Sequence, residues 1–381
     1  MKCIFVSPYL ADGSTGGGLL SRMNLQQMRQ GTCVSYAFAL SNSASSAEYI
    51  SLGSPSGKWA TALCNLLTIA GRLKPASILP ILRHLRTHRP ELLFLDSSSL
   101  GWLALLCRVV SPSTRTICFF HNIEFDFQLE RSRAEGYQYW LAAAAEYINE
   151  RLTCWFATKL LMLTREDSQR AMQLYGRAAD QLTPIVLNDA IVLNDAFEAA
   201  SEVSALSCTS IIGILFVGSN FFANRQAVNF LVDQLAPKLE LQQGIEIWIV
   251  GSGFSPEAWS MKIPANVRMF GRVDDLGALY RAATAVAVPV ISGAGMKVKV
   301  AEALMHGCPV IGTPLALRGY LDDLIVRDHL QTASSPDEYA VAIQFILKHQ
   351  QRLRQEARCD YHLRFSVTAG QQRIKQLLED E

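Results

Sequence analysis

Short β-branched and aromatic runs, largely apolar inside, recur along the chain between longer stretches of helical spacing: CIFVS from Cys3, CVSYAFAL from Cys33, ELLFLD from Glu91, RTICFF from Arg115 and LLML from Leu160. The rhythm restarts after residue 210 with IIGILFVG, IEIWIV, VRMFG, TAVAVPV and PVIGT. A strand with one wet face alternates apolar and polar residues, so runs without that alternation call for cover on both faces. Helices that link parallel strands supply such cover. Two series of this kind predict two doubly wound, Rossmann-like parallel sheets, each in its own α/β domain, facing each other across a cleft. A length of 381 residues suits two cores of roughly 150–200 residues each.

The segment between the series, PIVLNDAIVLNDAFEAASEVSALSCTS, repeats IVLNDA at 185–190 and 191–196. Two copies are too few for a solenoid and read as a local duplication in a surface connection, where added length costs little. The expected division is a first domain over 1–186, a linker over 187–210 and a second domain over 211–365.

Half the residues are hydrophobic and 18% are charged, which fits burial rather than disorder. Thirty-five basic side chains against 34 acidic ones argue against nucleic acid as a partner. The nine cysteines form no C-x-x-C pair and no His/Cys ligand spacing, so reduced thiols in a cytoplasmic protein without a bound metal are expected. MKCIFVSPYLADG reads as a strand and a glycine-bearing loop rather than a signal peptide, and no apolar run is long enough to span a membrane. Residues 49–90 hold no Asp or Glu but carry Lys58, Arg72, Lys74, Arg83, Arg86 and Arg89 among Trp59 and many Leu and Ile. That composition suits either a peripheral contact with an anionic membrane face or an ordinary amphipathic helix with a basic solvated side.

In a doubly wound sheet the ligand crevice lies at the carboxyl ends of the strands. Gly218, Ser219 and Asn220 follow one apolar run directly and precede a helix expected to begin near Asn224. Small residues there let backbone amides approach a phosphate. ISGAG, then MKVKVAEALM, then Gly307 and Pro309 read as a turn, a helix and its stop. At that helix start the amides of Gly295 and Met296, with Lys297 and Lys299, are placed to neutralise a diphosphate. Glu302 lies about a turn further on, where a carboxylate can accept from two ribose hydroxyls. Arg272 and Val273 follow another strand end and are candidates for lining the same crevice, with Asp274 or Asp275 capping the next helix.

The series FVGSNFFANRQAV, IWIVGSG, VRMFGRVDDLGALYRAA and GAGMKVKVAEALMHGCPVIGTP resembles the C-terminal domain of glycosyltransferase family 4, retaining enzymes of the GT-B fold, over nearly all of 211–320. GGGLLSRM and FFHNIEFD extend the resemblance thinly into the first half. It implies metal-independent transfer of a sugar, with retention, from a nucleotide diphosphate sugar to an acceptor hydroxyl. No cofactor is implied; the nucleotide sugar is a substrate. The nucleotide would sit on the second domain, the carbohydrate or lipid-linked acceptor on the first, and a final helix over 366–381 would complete the first domain. Lys297, Lys299 and Arg272 would offset charge on the leaving diphosphate. On the acceptor side, Gly16, Gly17 and Gly18 are expected to form a loop whose amides approach the donor phosphate or sugar. His121, by resemblance, contacts the donor sugar or stabilises the reacting centre, and Glu124 projects beside it. The family often carries two glutamates seven residues apart; Glu302 matches the second, and Ala294 stands in place of the first.

The expected function is therefore sugar transfer in bacterial-type polysaccharide, lipopolysaccharide or glycolipid assembly, with catalytic roles for His121, Lys297 and Glu124. A nucleotide-sugar epimerase of the same fold and an inactive nucleotide-binding scaffold are the competing readings.

Overall fold

The computed structural model describes residues 1–12, 15–70, 72–188, 211–240, 242, 244–259, 262–273, 275–321 and 325–379. The second IVLNDA copy, most of the expected linker and the Asp274 cap alternative lie outside them. The chain divides into two compact units, Met1–Val186 with Val367–Glu381, and Leu187–Ser366.

The first unit runs β1 (Lys2–Ser7), α1 (Gly16–Gly31), β2 (Cys33–Ala39), β3 (Ile50–Ser51), α2 (Lys58–Leu66), α3 (Pro75–His88), β4 (Leu92–Leu95), α4 (Gly101–Val110), β5 (Arg115–Phe120), α5 (Glu124–Glu135), α6 (Trp140–Phe156), β6 (Lys159–Met162), α7 (Arg165–Tyr175) and β7 (Gln181–Leu182). Its seven strands lie in the order β3-β2-β1-β4-β5-β6-β7, every pair parallel. The chain winds outward from β1 in one direction and then, from β4, in the other. The reversal leaves a crevice at the carboxyl ends of β1 and β4. All four residues of β4 and five of six in β1 and β5 are buried, as helices on both faces require.

The second unit repeats the plan with β8 (Ile212–Val217), α8 (Phe222–Phe230), β9 (Ile245–Val250), β10 (Val267–Gly271), α9 (Leu276–Ala282), β11 (Ala285–Val288), α10 (Val298–Met305), β12 (Val310–Gly312), β13 (Leu330–Thr332) and α11 (Pro336–Arg364). The strand order β10-β9-β8-β11-β12-β13 is again parallel throughout, with the switch between β8 and β11. Helix α11 starts in a capping box, Ser335 accepting from the Glu338 amide while the Glu338 carboxylate accepts from Ser335. The last helix, α12 (Val367–Glu379), belongs to the first unit, where Leu378 and Ile374 meet Gly31 at the end of α1.

One local expectation fails. Gly16, Gly17 and Gly18 are not a loop but the first turn of α1, because Thr15 takes the N-cap position and its hydroxyl accepts from the Gly18 amide at 3.1 Å. The third position must be glycine for a different reason from the one the sequence suggests. A Cβ at Gly18 would stand 1.7 Å from the Asp12 carbonyl oxygen.

Candidate functional site

In the second unit the loops that follow β8, β9, β10 and β11 are bound to one another. The Asn220 amide donates to Ser252 at 2.9 Å, the Gly251 amide to Gly271 at 2.7 Å, and the Ser292 hydroxyl to Gln226 on α8 at 2.7 Å. Gly251, at φ +146°, passes so close to β8 that a Cβ there would lie 1.9 Å from the Gly218 carbonyl oxygen. The strand ends thus form one tied rim around the β8/β11 switch point, where a phosphate-bearing ligand of a doubly wound sheet is expected.

Asn224 organises the β8 side of that rim. Helix α8 begins two residues before it, so its side chain points back, donating to the Ser219 carbonyl at 2.8 Å and accepting from Lys299 Nζ at 2.9 Å. Lys299 reaches this point across the face of Phe216, 4.3 Å from the ring centroid. Burial pushes the Lys299 ammonium down to about 7; Glu302 opposes the shift and Lys297 adds to it. The lysine is thereby poised between charged and neutral forms, and an arriving anion would favour the charged one.

Glu302, one turn along α10, accepts from the Tyr280 hydroxyl at 3.0 Å. Burial raises its carboxyl above the usual range, with Tyr280 and Lys299 pulling the other way. Tyr280 is itself buried and stacked on His306 at 5.2 Å between centroids. Oε1 of Glu302 has no hydrogen bond among the described residues, which leaves an acceptor for a hydroxyl.

Lys297 is placed differently from Lys299. Its ammonium donates to the carbonyls of Gly293, Ala294 and Gly295 at 3.0, 2.9 and 3.0 Å, and its own carbonyl accepts from the Tyr320 hydroxyl at 2.8 Å. The cation that the sequence assigns to the diphosphate here holds the glycine-bearing turn in shape. Gly295 and Met296 are buried within that turn, Arg272 is exposed one residue past β10, and Val273 is half-buried. Asp275 caps α9, accepting from the Gly277 amide at 2.8 Å.

In the first unit the switch point holds a polar core. Asp96, directly after β4 and fully buried, accepts from Ser21, from Asn24 at 2.7 Å and from His121 Nε2 at 3.2 Å. His121 Nε2 also meets the Asp96 carbonyl at 3.1 Å. Both acceptors face Nε2, so that nitrogen is the one that donates. The Tyr9 ring lies 5.1 Å from the His121 ring, and its hydroxyl donates to Glu124 at 3.1 Å. Burial raises the Glu124 carboxyl, opposed by the Tyr9 hydrogen bond, by His121 and by Asn122. Gly17 packs under Tyr9, whose ring would be 3.6 Å from a Cβ.

Thus Gly218, Ser219, Asn220, Lys299 and Glu302 gather on one rim with the Lys297 turn, and His121 and Glu124 share Tyr9 as a neighbour. Sequence reasoning missed Asn224, Tyr280, Tyr9 and Asp96. Asp96 had a readable signal, an acid closing the apolar run LLFLD at a strand end.

Residues 212–349 match the family model for Glycosyl transferases group 1. A curated relative, phosphatidyl-myo-inositol mannosyltransferase of Mycobacterium leprae (strain TN), is 30% identical over 141 residues, 36% of this chain and 37% of that protein. The match therefore spans little more than a third of the relative. Among solved structures, Anabaena HepE in complex with UDP-glucose superposes with a TM-score of 0.69 at 14% identity over the whole of both chains. Sucrose-phosphate synthase from Thermosynechococcus elongatus gives 0.70 at 14% identity, covering 100% of this chain and 98% of that one. The fold is GT-B, two Rossmann-like α/β units. The second unit carries the sequence signature of group 1 glycosyl transferases.

Proposed function

We propose that the protein is a retaining, metal-independent glycosyltransferase that moves a sugar from a nucleotide diphosphate sugar to an acceptor hydroxyl in polysaccharide or glycolipid assembly. The observation that carries this reading is the single rim formed by Gly218, Ser219, Asn224, Lys299 and Glu302 within the segment matching group 1 glycosyl transferases. There, loop amides and Lys299 would take the diphosphate, and Glu302 the ribose. His121 and Glu124 of the first unit are the proposed catalytic groups, and in the second unit a donor-sugar contact at the Ala294 position would have to come from the backbone amides of 293–296 or from another side chain. Because solved neighbours hold UDP and UDP-glucose, UDP-sugars are the first donors to try.

Thermal unfolding with millimolar UDP, GDP, dTDP and ADP tests the donor site; a ligand at 100 times its Kd adds about 2.7 kcal/mol. Protection by one of the four supports the reading, and protection by none refutes it. Incubation with the matching nucleotide sugar alone then separates transfer from epimerisation, since an epimerase converts the sugar without any acceptor.

A lipid-linked acceptor at an anionic membrane face fits the first unit. Helix α2 presents Trp59, 90% exposed, with Leu63 and Leu66 also exposed and Leu67 exposed just after it, and α3 adds Arg83, Arg86 and an exposed Leu79. Apolar side chains beside an acid-free basic stretch suit peripheral attachment to such a surface. The relative that mannosylates an inositol lipid agrees in acceptor class. Among the described residues no helix is long and apolar enough to cross a membrane. Sedimentation with vesicles containing phosphatidylserine, but not with phosphatidylcholine alone, is expected; equal or absent sedimentation with both refutes the attachment.

A further inference from the structure

Helix α5 begins immediately after the segment that carries His121, and its first turn includes Glu124. Its N-cap residue, Ile123, offers no side-chain acceptor to the leading amides. Those amides are orphan donors in any helix and need partners when buried. The partner comes from another helix: Glu150 of α6, fully buried, accepts from the Glu124 amide at 2.8 Å through Oε1 and from the Phe125 amide at 3.1 Å through Oε2. Oε2 also accepts from the Tyr175 hydroxyl of α7 at 2.7 Å.

Burying a carboxylate is costly, and a serine or aspartate at position 123 would cap the helix without that cost. The cost is visible in Glu150, whose carboxyl is pushed up to about 7 by burial despite the three donors. What a remote cap adds is location. It pins the start of α5 to the α6–α7 framework at the place where Glu124 meets Tyr9 and Tyr9 meets the His121 ring.

We propose that Glu150 is a positioning residue that holds the His121–Glu124 segment in register for the transferred sugar. In its link to the sugar this rests on the transferase reading above; the clamp on α5 does not.

The test uses the full chain with Glu150→Gln, which keeps the shape but leaves one α5 amide facing an NH2 group. Two readouts are taken. Hydrogen exchange of the Glu124 and Phe125 amides is expected to speed up by about tenfold or more, as one lost buried hydrogen bond implies, while α1 and α4 exchange as in the wild type. With a donor that the wild type turns over, kcat is expected to fall by about tenfold or more, with the donor KM unchanged within about twofold. Tyr175→Phe, which leaves both amides held, is expected to keep slow exchange at both. Unchanged exchange in Glu150→Gln overturns the clamp. A kcat loss that only tracks the fraction of folded protein, or a change confined to KM, overturns the positioning role. If Glu150→Gln does not fold, Glu150→Asp, whose carboxylate is drawn back by one methylene, is held to the same criteria. A wild type inactive with every donor counts against the transferase reading and leaves the exchange measurement to decide the clamp.

Discussion

Lys299 ties the candidate nucleotide site to pH. With the ammonium held at about 7 by burial, raising the pH from about 6.5 to about 8.5 takes the residue from mostly charged to mostly neutral. A bound diphosphate would restore the charge and return the group toward its ordinary value of about 10.4. Binding then takes up a proton, and the apparent Kd for UDP is expected to rise about 25-fold over that interval, the ratio of the two neutralisation factors for a free value near 7. Starting near pH 6.5 keeps the terminal phosphate, with its own value of about 6, largely ionised throughout. Stability should move the opposite way. The unfolded chain holds the lysine proton up to about pH 10, so between about pH 7 and 10 it binds more protons than the native state does. Without nucleotide, the Lys299 contribution therefore makes the protein more stable as pH rises. Calorimetric titration with UDP and thermal unfolding without it, each compared with Lys299→Met, isolate both trends from the other groups. A wild-type Kd that stays flat between about pH 6.5 and 8.5, or an equal slope in Lys299→Met, would refute a lysine that titrates on the diphosphate.

Other outcomes follow from the same contacts. Glu302→Gln should weaken UDP binding by about tenfold or more, and Tyr280→Phe by only a few-fold, because the second change removes an orienting hydrogen bond rather than the acceptor; calorimetry ranks them. Gly251→Ala, at φ +146° and facing the Gly218 carbonyl, should cost about 3 kcal/mol or more of stability, read by chemical denaturation. His121→Ala should slow transfer by about 100-fold while UDP affinity stays within about twofold, since Lys299 and Glu302, proposed for the diphosphate and the ribose, are in the second unit. Equal losses in turnover and UDP affinity would contradict that division.

Ten of the thirteen strands among the described residues fall on the apolar and β-branched runs, including the three residues of β12 inside PVIGT, whereas β3, β7 and β13, two or three residues each, lie in no such run. The turn before Lys297 and a cap at Asp274 or Asp275 were legible because they depend on residues within a few positions of each other, whereas Gly16–Gly18, expected as a loop, open a helix. Asn224 was legible only as the start of a helix, since its role as a bridge depends on Lys299, 75 residues away. Tyr280 under Glu302 and Asp96 under His121 are likewise contacts between elements brought together only by strand order. The sequence marks Lys297 and Lys299 alike, as cations beside a glycine turn. Backbone geometry separates them: three carbonyls of the turn converge on the first, and the second is carried across Phe216 to Asn224.

The last described helix, α12, has a consequence for dissecting the molecule. It returns to the first unit, while Leu187 and Ser366, the ends of the second, pair as a parallel bridge, with the Leu187 amide donating to Phe365 at 2.9 Å and Tyr361 donating to Leu187. In topology the second unit is an insert with adjoining termini. A cut after Val186 would strip α12 from α1 and uncover Ile374 and Leu377, whereas excision of 187–366 with a short splice would leave both partners in one polypeptide. The half that begins the sequence is therefore the one that simple truncation should ruin, and the interior half is the one to isolate intact.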